Sequence, residues 1–103
     1  MNISILSPEK EIFKGPIKSV KVPGTLGQFQ VLKNHAPIVS SLQAGEIIVV
    51  TSAGEHVYYN EETGALENGL KEGRTLTFKI NSGFIEVLHN EISILVQGAS
   101  VIK

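Results

Sequence analysis

The 103-residue chain has no cysteine and no tryptophan, a single methionine, no long apolar run and no cluster of basic residues. Without cysteine there is neither a disulfide framework nor a thiolate metal site. The N-terminal Asn2-Ile3-Ser4-Ile5-Leu6-Ser7-Pro8 lacks the basic flank and apolar stretch of a signal peptide, and no segment is apolar over the length a membrane span needs. Nine Lys and Arg against ten Asp and Glu leave a formal charge of -1. Scattered charge of this kind argues against nucleic acid and anionic membranes as partners, because both select clustered Lys and Arg. Without an indole, and with only Phe13, Phe29, Tyr58, Tyr59, Phe78 and Phe84 as aromatic residues, the chain offers little to stack on a sugar.

What is present is a core. Hydrophobic residues make up 42% and charged residues 18%, the balance of an ordinary globular chain, and the length suits one domain over 1–103. Apolar residues recur at period two in short runs punctuated by turn residues, which predicts an all-β fold. Leu76, Phe78 and Ile80 alternate with Thr75, Thr77 and Lys79, and Ile92, Ile94 and Val96 alternate likewise. Further strands are expected near 3–6, 11–14, 17–23, 28–32, 38–42, 46–51, 56–59, 84–88 and 99–102. About ten such strands imply a sandwich or flattened barrel.

The irregular region is 60–74, NEETGALENGLKEGR, with three glycines and four Glu against one Lys and one Arg. It reads as a mobile loop or a twisted hairpin extension.

Candidate chemistry is sparse. His35, His56 and His89 match no compact ligand spacing, so no metal is expected. Ser40 and Ser41 lie near His35 in sequence but outside any Gly-x-Ser-x-Gly elbow, and Gly24-Thr25-Leu26-Gly27 lacks the Lys-Ser/Thr ending of a phosphate loop. No catalytic residue and no cofactor is expected. Glu86 stands out, since strand alternation puts it on one face with Phe84 and Leu88. A charge among apolar neighbours marks an outer solvated face or a partner surface.

Three segments carry a resemblance. Val22-Pro23-Gly24-Thr25, Gly27, Phe29, Val31-Leu32 and His35-Ala36-Pro37 come first in specificity; Ser7-Pro8-Glu9-Lys10 with Phe13 and Gly15 precedes them, and Gly83-Phe84-Ile85-Glu86-Val87 with Asn90 and Ile92-Ser93-Ile94-Leu95 follows. In this order they resemble the epsilon subunit of F-type, proton-translocating ATP synthases, in a short form with the N-terminal β-sandwich alone. The resemblance implies a non-catalytic rotor subunit of the central stalk, which links the gamma subunit to the c-ring and couples proton flow to ATP synthesis or hydrolysis. It implies a peripheral location on the cytoplasmic side of the bacterial membrane, without insertion into it. Thr25, Leu26, Gly27, Gln28, Asn34 and His35 would face the ring; Ser7, Ser40, Asn81 and Glu86 would lie along the gamma side. Relatives often carry a carboxylate where Gln28 stands, so the charge-assisted part of that contact is missing. Family members commonly continue into a helical hairpin that binds ATP or inhibits the enzyme. This chain stops at Lys103, so neither property is expected of it. The 60–74 stretch lengthens what is usually a short turn. The alternative class is a free-standing β-sandwich module for a peptide or sugar, which would require an exposed aromatic platform.

Overall fold

Period-two alternation decides the architecture. The structure, a computed structural model, describes residues 1–60 and 63–102. Its strands are β1 (Asn2–Leu6), β2 (Glu11–Gly24), β3 (Gly27–Leu32), β4 (Ile38–Leu42), β5 (Gly45–Thr51), β6 (His56–Asn60), β7 (Ala65–Gly69), β8 (Thr75–Ile80), β9 (Ser82–Leu88), β10 (Glu91–Gln97) and β11 (Ser100–Ile102). No described residue is helical. The all-β expectation therefore holds, with two differences of detail.

The first is β2. Two strands were expected, broken at Gly15-Pro16, but one runs through. Its N-terminal part lies between β1 and β6, and its C-terminal part between β3 and β5. Pro16 sits at the change of partners. Its carbonyl accepts the Ser52 N–H at 3.1 Å, and a strand residue turns its N and C=O to one side, so the missing donor faces the β5–β6 connection and no ladder bond is lost. A bulge just before it lets Ile12 and Phe13 both reach the interior: Ile5 pairs with Phe13, yet Leu6 pairs with Glu11.

The second is β7, which pairs with β6 as a hairpin within the stretch expected to be irregular. Of the two readings offered there, the hairpin extension is the one observed; residues 61 and 62 of that stretch lie outside the described residues.

The strands form two layers that share β2. In one, β7, β6, the first part of β2, β1, β10, β9 and β4 lie side by side; in the other, β3, the rest of β2, β5, β8 and β11. β1 runs parallel to β10, and the lone Gly24–Leu42 pairing joins β4 to the end of β2. Between the layers lie Ile5, Phe13, Ile47, Phe78, Ile85 and Ile94, all fully buried. Each contributes roughly 1.5–3 kcal/mol by leaving water. Phe13 meets Phe78 edge-on, with centroids 6.1 Å apart, a geometry that sets a positive ring edge against a negative ring face.

Candidate functional site

Four neighbouring strands, β1, β10, β9 and β4, turn one side to the core and the other outward. Side chains alternate along a strand, and residues paired across strands point the same way. With Ile85 and Ile94 inside, the outward set follows from the register. One row is Leu6, Leu95, Phe84 and Ser41; the next is Ser4, Ser93, Glu86 and Val39; beyond it Glu91 pairs with Leu88. Phe84 is 59% exposed, Leu95 57% and Val39 73%, with Leu6 and Leu88 also open. Lone exposed apolar residues are ordinary, but five on one face of four strands form a patch of the kind that partners cover. Glu86 sits in the middle of them. At one end the patch deepens into a groove of about 580 Å³ whose walls include Leu6, Ser7, Ser41, Ser82, Phe84 and Leu95.

The residues expected on this side fall in different places. Glu86 is central, as its alternation with Phe84 and Leu88 required. Ser7 borders the groove, where its hydroxyl donates to the Lys10 carbonyl at 3.2 Å and closes the turn after β1. Asn81 is at the same end: its N–H donates to the Gln97 carbonyl at 3.0 Å, and its amide packs so close to Gly98 that a Cβ there would lie 2.2 Å from Nδ2. Ser40 is on the other side of β4. It pairs with buried Ile85, so it turns away from Glu86 and stands with Gln28 and Phe29 along a shallow groove. Parity separates Ser40 from Val39 and Ser41, and a sequence alone does not tell which parity faces out. Leu6, Val39, Ser93 and Leu95 escaped the sequence reading. The available signal was in β10, where Leu95 makes an otherwise alternating strand apolar on both faces.

The loop residues form two clusters. Gly24-Thr25-Leu26-Gly27 is the β2–β3 turn, with Gly24 paired to Gly27, a φ of 131° at Gly27 that favours glycine, and Leu26 fully exposed at the tip. Gln28 is exposed beside it. The Thr25 N–H donates to the Ser41 carbonyl at 3.1 Å, which fixes this turn against the C-terminal end of β4. Asn34 and His35 lie toward the other end of β4, near the β9–β10 turn: the Asn34 N–H donates to Asn90 Oδ1 at 2.7 Å. The His35 N–H donates to the Leu32 carbonyl at 3.2 Å, and its Nδ1 lies 2.7 Å from the Ala36 carbonyl. The ring thus closes its own loop.

The three histidines do not converge, and among the described residues no three His, Asp or Glu side chains are placed to hold a metal ion. His89 is in the β9–β10 turn at φ 49°. His56 is fully buried, stacked on Phe13 at 5.6 Å between centroids and closed in by Gly15 and Gly69. Neither of its ring nitrogens has a hydrogen-bond partner among the described residues. Burial, with Arg74 nearby, holds its pKa below the ordinary histidine value. Ser40 donates to the Ser41 carbonyl at 3.3 Å and His35 bonds Ala36, so the two make no nucleophile–base pair with each other.

Comparison with known proteins shows the family and the fold. Residues 1–69 match the family described as ATP synthase, Delta/Epsilon chain, beta-sandwich domain. A curated protein of Helicobacter pylori named ATP synthase epsilon chain is 34% identical over the whole of this chain, which spans 68% of it. One of Protochlamydia amoebophila with the same name is 34% identical over 90% of this chain. The chain spans about half the length of that relative, at 50%. Among solved structures, a chain of the Euglena gracilis mitochondrial ATP synthase, in an assembly of OSCP, F1 and c-ring, superposes with a TM-score of 0.71 at 18% identity over 96% of this chain and 51% of its own length. That likeness is one of fold.

Proposed function

This chain belongs to the ATP synthase Delta/Epsilon family, and from that membership we propose that it is a non-catalytic subunit of the central stalk, bound to a gamma subunit through the outer face of β1, β10, β9 and β4. The observation that supports this most is the patch of Leu6, Val39, Phe84, Leu88 and Leu95 around Glu86. Covering it removes apolar area from water at roughly 25 cal/mol per Å². Glu86, enclosed by that contact, would need a hydrogen-bonding or cationic partner opposite it, which fixes the register of the complex.

The β2–β3 turn would stand on the c-ring. A joint that carries torque works only if it does not yield, and Gly24–Gly27 pairing with the Thr25–Ser41 bond ties this turn into both layers. Leu26 would be its apolar contact and Gln28 its polar one. Lacking a charge, Gln28 would bond an arginine of the ring more weakly than a carboxylate does. Asn34 and His35, toward the other end of β4, would brace the edge between ring and gamma. The subunit would ride at the cytoplasmic side of a bacterial membrane as part of the complex. No helix of the described residues is long and apolar enough to cross a membrane.

The test is co-elution of the chain with the gamma subunit of the same organism on a sizing column, then rebuilding with the ring. A one-to-one complex that Phe84→Glu abolishes supports the reading; absence of a complex at micromolar concentration overturns it.

A further inference from the structure

The β6–β7 hairpin belongs to the same sheet as the exposed face, and the register ties the two together. Val57 pairs with Lys14, Lys14 with Ser4, Ser4 with Ser93, Ser93 with Glu86 and Glu86 with Val39. Residues paired in this way turn to one side of a sheet, so Val57 stands on the side of Glu86. Asn68, opposite Val57, shares that side; so do Tyr59, two residues along, and Leu66 opposite Tyr59. Leu66 is 51% exposed, and the Lys10 ammonium lies 3.9 Å from the centre of the Tyr59 ring.

The hairpin's other side is already occupied. Gly69 lies against the His56 ring, Arg74 stacks over Tyr58 at 4.5 Å, and the Asn60 amide bonds the Glu67 carboxylate. The hairpin is thus docked through one side, while on the side that continues the Glu86 face Leu66 and Asn68 are exposed.

Area argues the same way. Four strands at about 4.8 Å and six residues at about 3.3 Å give the β1-β10-β9-β4 face a footprint of roughly 19 by 20 Å, about 400 Å² before side-chain relief. A standard complex covers about 800 Å² of each partner. The first part of β2, with β6 and β7, adds three strands, or roughly 14 Å of width. At a twist of about 20–25° per strand, β6 is turned roughly 80–100° from β9, so one partner covering both must bend round the sheet.

We infer that the β6–β7 hairpin is a second docking surface for the partner that covers Phe84 and Leu95, which would set apolar side chains on Leu66 and Tyr59 and an acidic group toward Lys10 and Lys14. This rests on the stalk reading, whose partner is the gamma subunit.

Titration calorimetry of the full chain against purified gamma subunit tests it, with Leu66→Glu and Phe84→Glu as variants and thermal melts as the check on folding. Leu66→Glu is expected to raise Kd at least tenfold with its melt unchanged, and Phe84→Glu to raise it at least as much. If Leu66→Glu stays within twofold of the unaltered chain while Phe84→Glu destroys binding, the hairpin is not a docking surface and the stalk reading stands. If the unaltered chain does not bind gamma, or Phe84→Glu binds normally, the stalk reading falls and takes the hairpin inference with it. Should Leu66→Glu lower the melt, Asn68→Arg, on an exposed residue of the same side, decides by the same thresholds.

Discussion

Asn34 and Asn90, 56 residues apart in sequence, hold each other by two hydrogen bonds: the Asn34 N–H donates to Asn90 Oδ1 at 2.7 Å, and Asn90 Nδ2 donates to Asn34 Oδ1 at 3.1 Å. Both are left-handed, with φ of 65° and 63°. Asparagine is one of the few residues with a side chain that accepts this backbone, so the pair joins two turns that each need such a residue anyway.

Asn90→Gly keeps the backbone conformation and removes both bonds. At about 0.5–1.5 kcal/mol per bond, losing both should cost about 1–3 kcal/mol, and Asn90→Ala about 1–2 kcal/mol more, because alanine pays for the left-handed φ. Urea melts of the two variants beside the unaltered chain check this; equal midpoints for Gly and Ala would show that the turn relaxes out of the left-handed region.

Gly83 lies in β9 opposite Val96 of β10, and a Cβ built on it falls 2.4 Å from the Leu95 carbonyl oxygen. A backbone atom in a paired strand cannot move aside. Gly83→Ala should therefore destabilise by about 1–3 kcal/mol, the range for overpacking, and weaken protection of the β9–β10 amides in hydrogen exchange. Gly27, where nothing lies within 4 Å of the added Cβ, is a control for backbone strain alone.

His56 makes stability depend on pH. In the unfolded chain a histidine takes its proton at about pH 6.5, whereas in the fold burial and then Arg74 hold its pKa lower. The ring packs against Gly69 from β7, Gly15 and Phe13 from β2 and Tyr58 from β6, with Arg74 the nearby charge. Between the two pKa values the unfolded chain binds more protons, so stability rises with pH there. It is complete above about pH 6.5 and is lost as the pH falls through the folded value. His56→Leu should flatten this dependence. Urea midpoints at about pH 7.5 and pH 5 measure it, and an equal acid loss in both proteins would show that His56 is not the group responsible.

Leu26 is fully exposed at the β2–β3 tip. On the stalk reading Leu26→Ser should leave the melting temperature within about 1–2 °C, as surface changes do, yet weaken rebuilding with the ring. Gln28→Glu should strengthen it in a salt-sensitive manner by restoring a charge-assisted contact. Ring binding that is indifferent to both would remove this turn from the interface.

Much of the fold was legible in the residues. The alternation in β8, β9 and β10 gave the strands and their buried sides, because a half-buried strand must alternate. Glu86 was found because it breaks its own strand's apolar side. Three things were not legible. Pro16 looked like a break, since its tolerance depends on which neighbour faces its missing donor. β7 carries Glu67, Asn68 and Gly69, all poor strand formers, and is a strand through its pairing with β6. Ser40 was assigned to the Glu86 side, although its pairing with Ile85 puts it on the other.

The sequence by itself determined the all-β class, the single-core composition and the family, because these rest on local alternation, turn chemistry and motif order, which are properties of neighbouring residues. Only the tertiary structure decided that Leu6, Val39, Phe84, Leu88 and Leu95 share a surface, that Asn34 meets Asn90, and that His56 is sealed beneath Gly69. Each of these is set by the register between strands distant in sequence, and register is chosen when the two layers close on a common core.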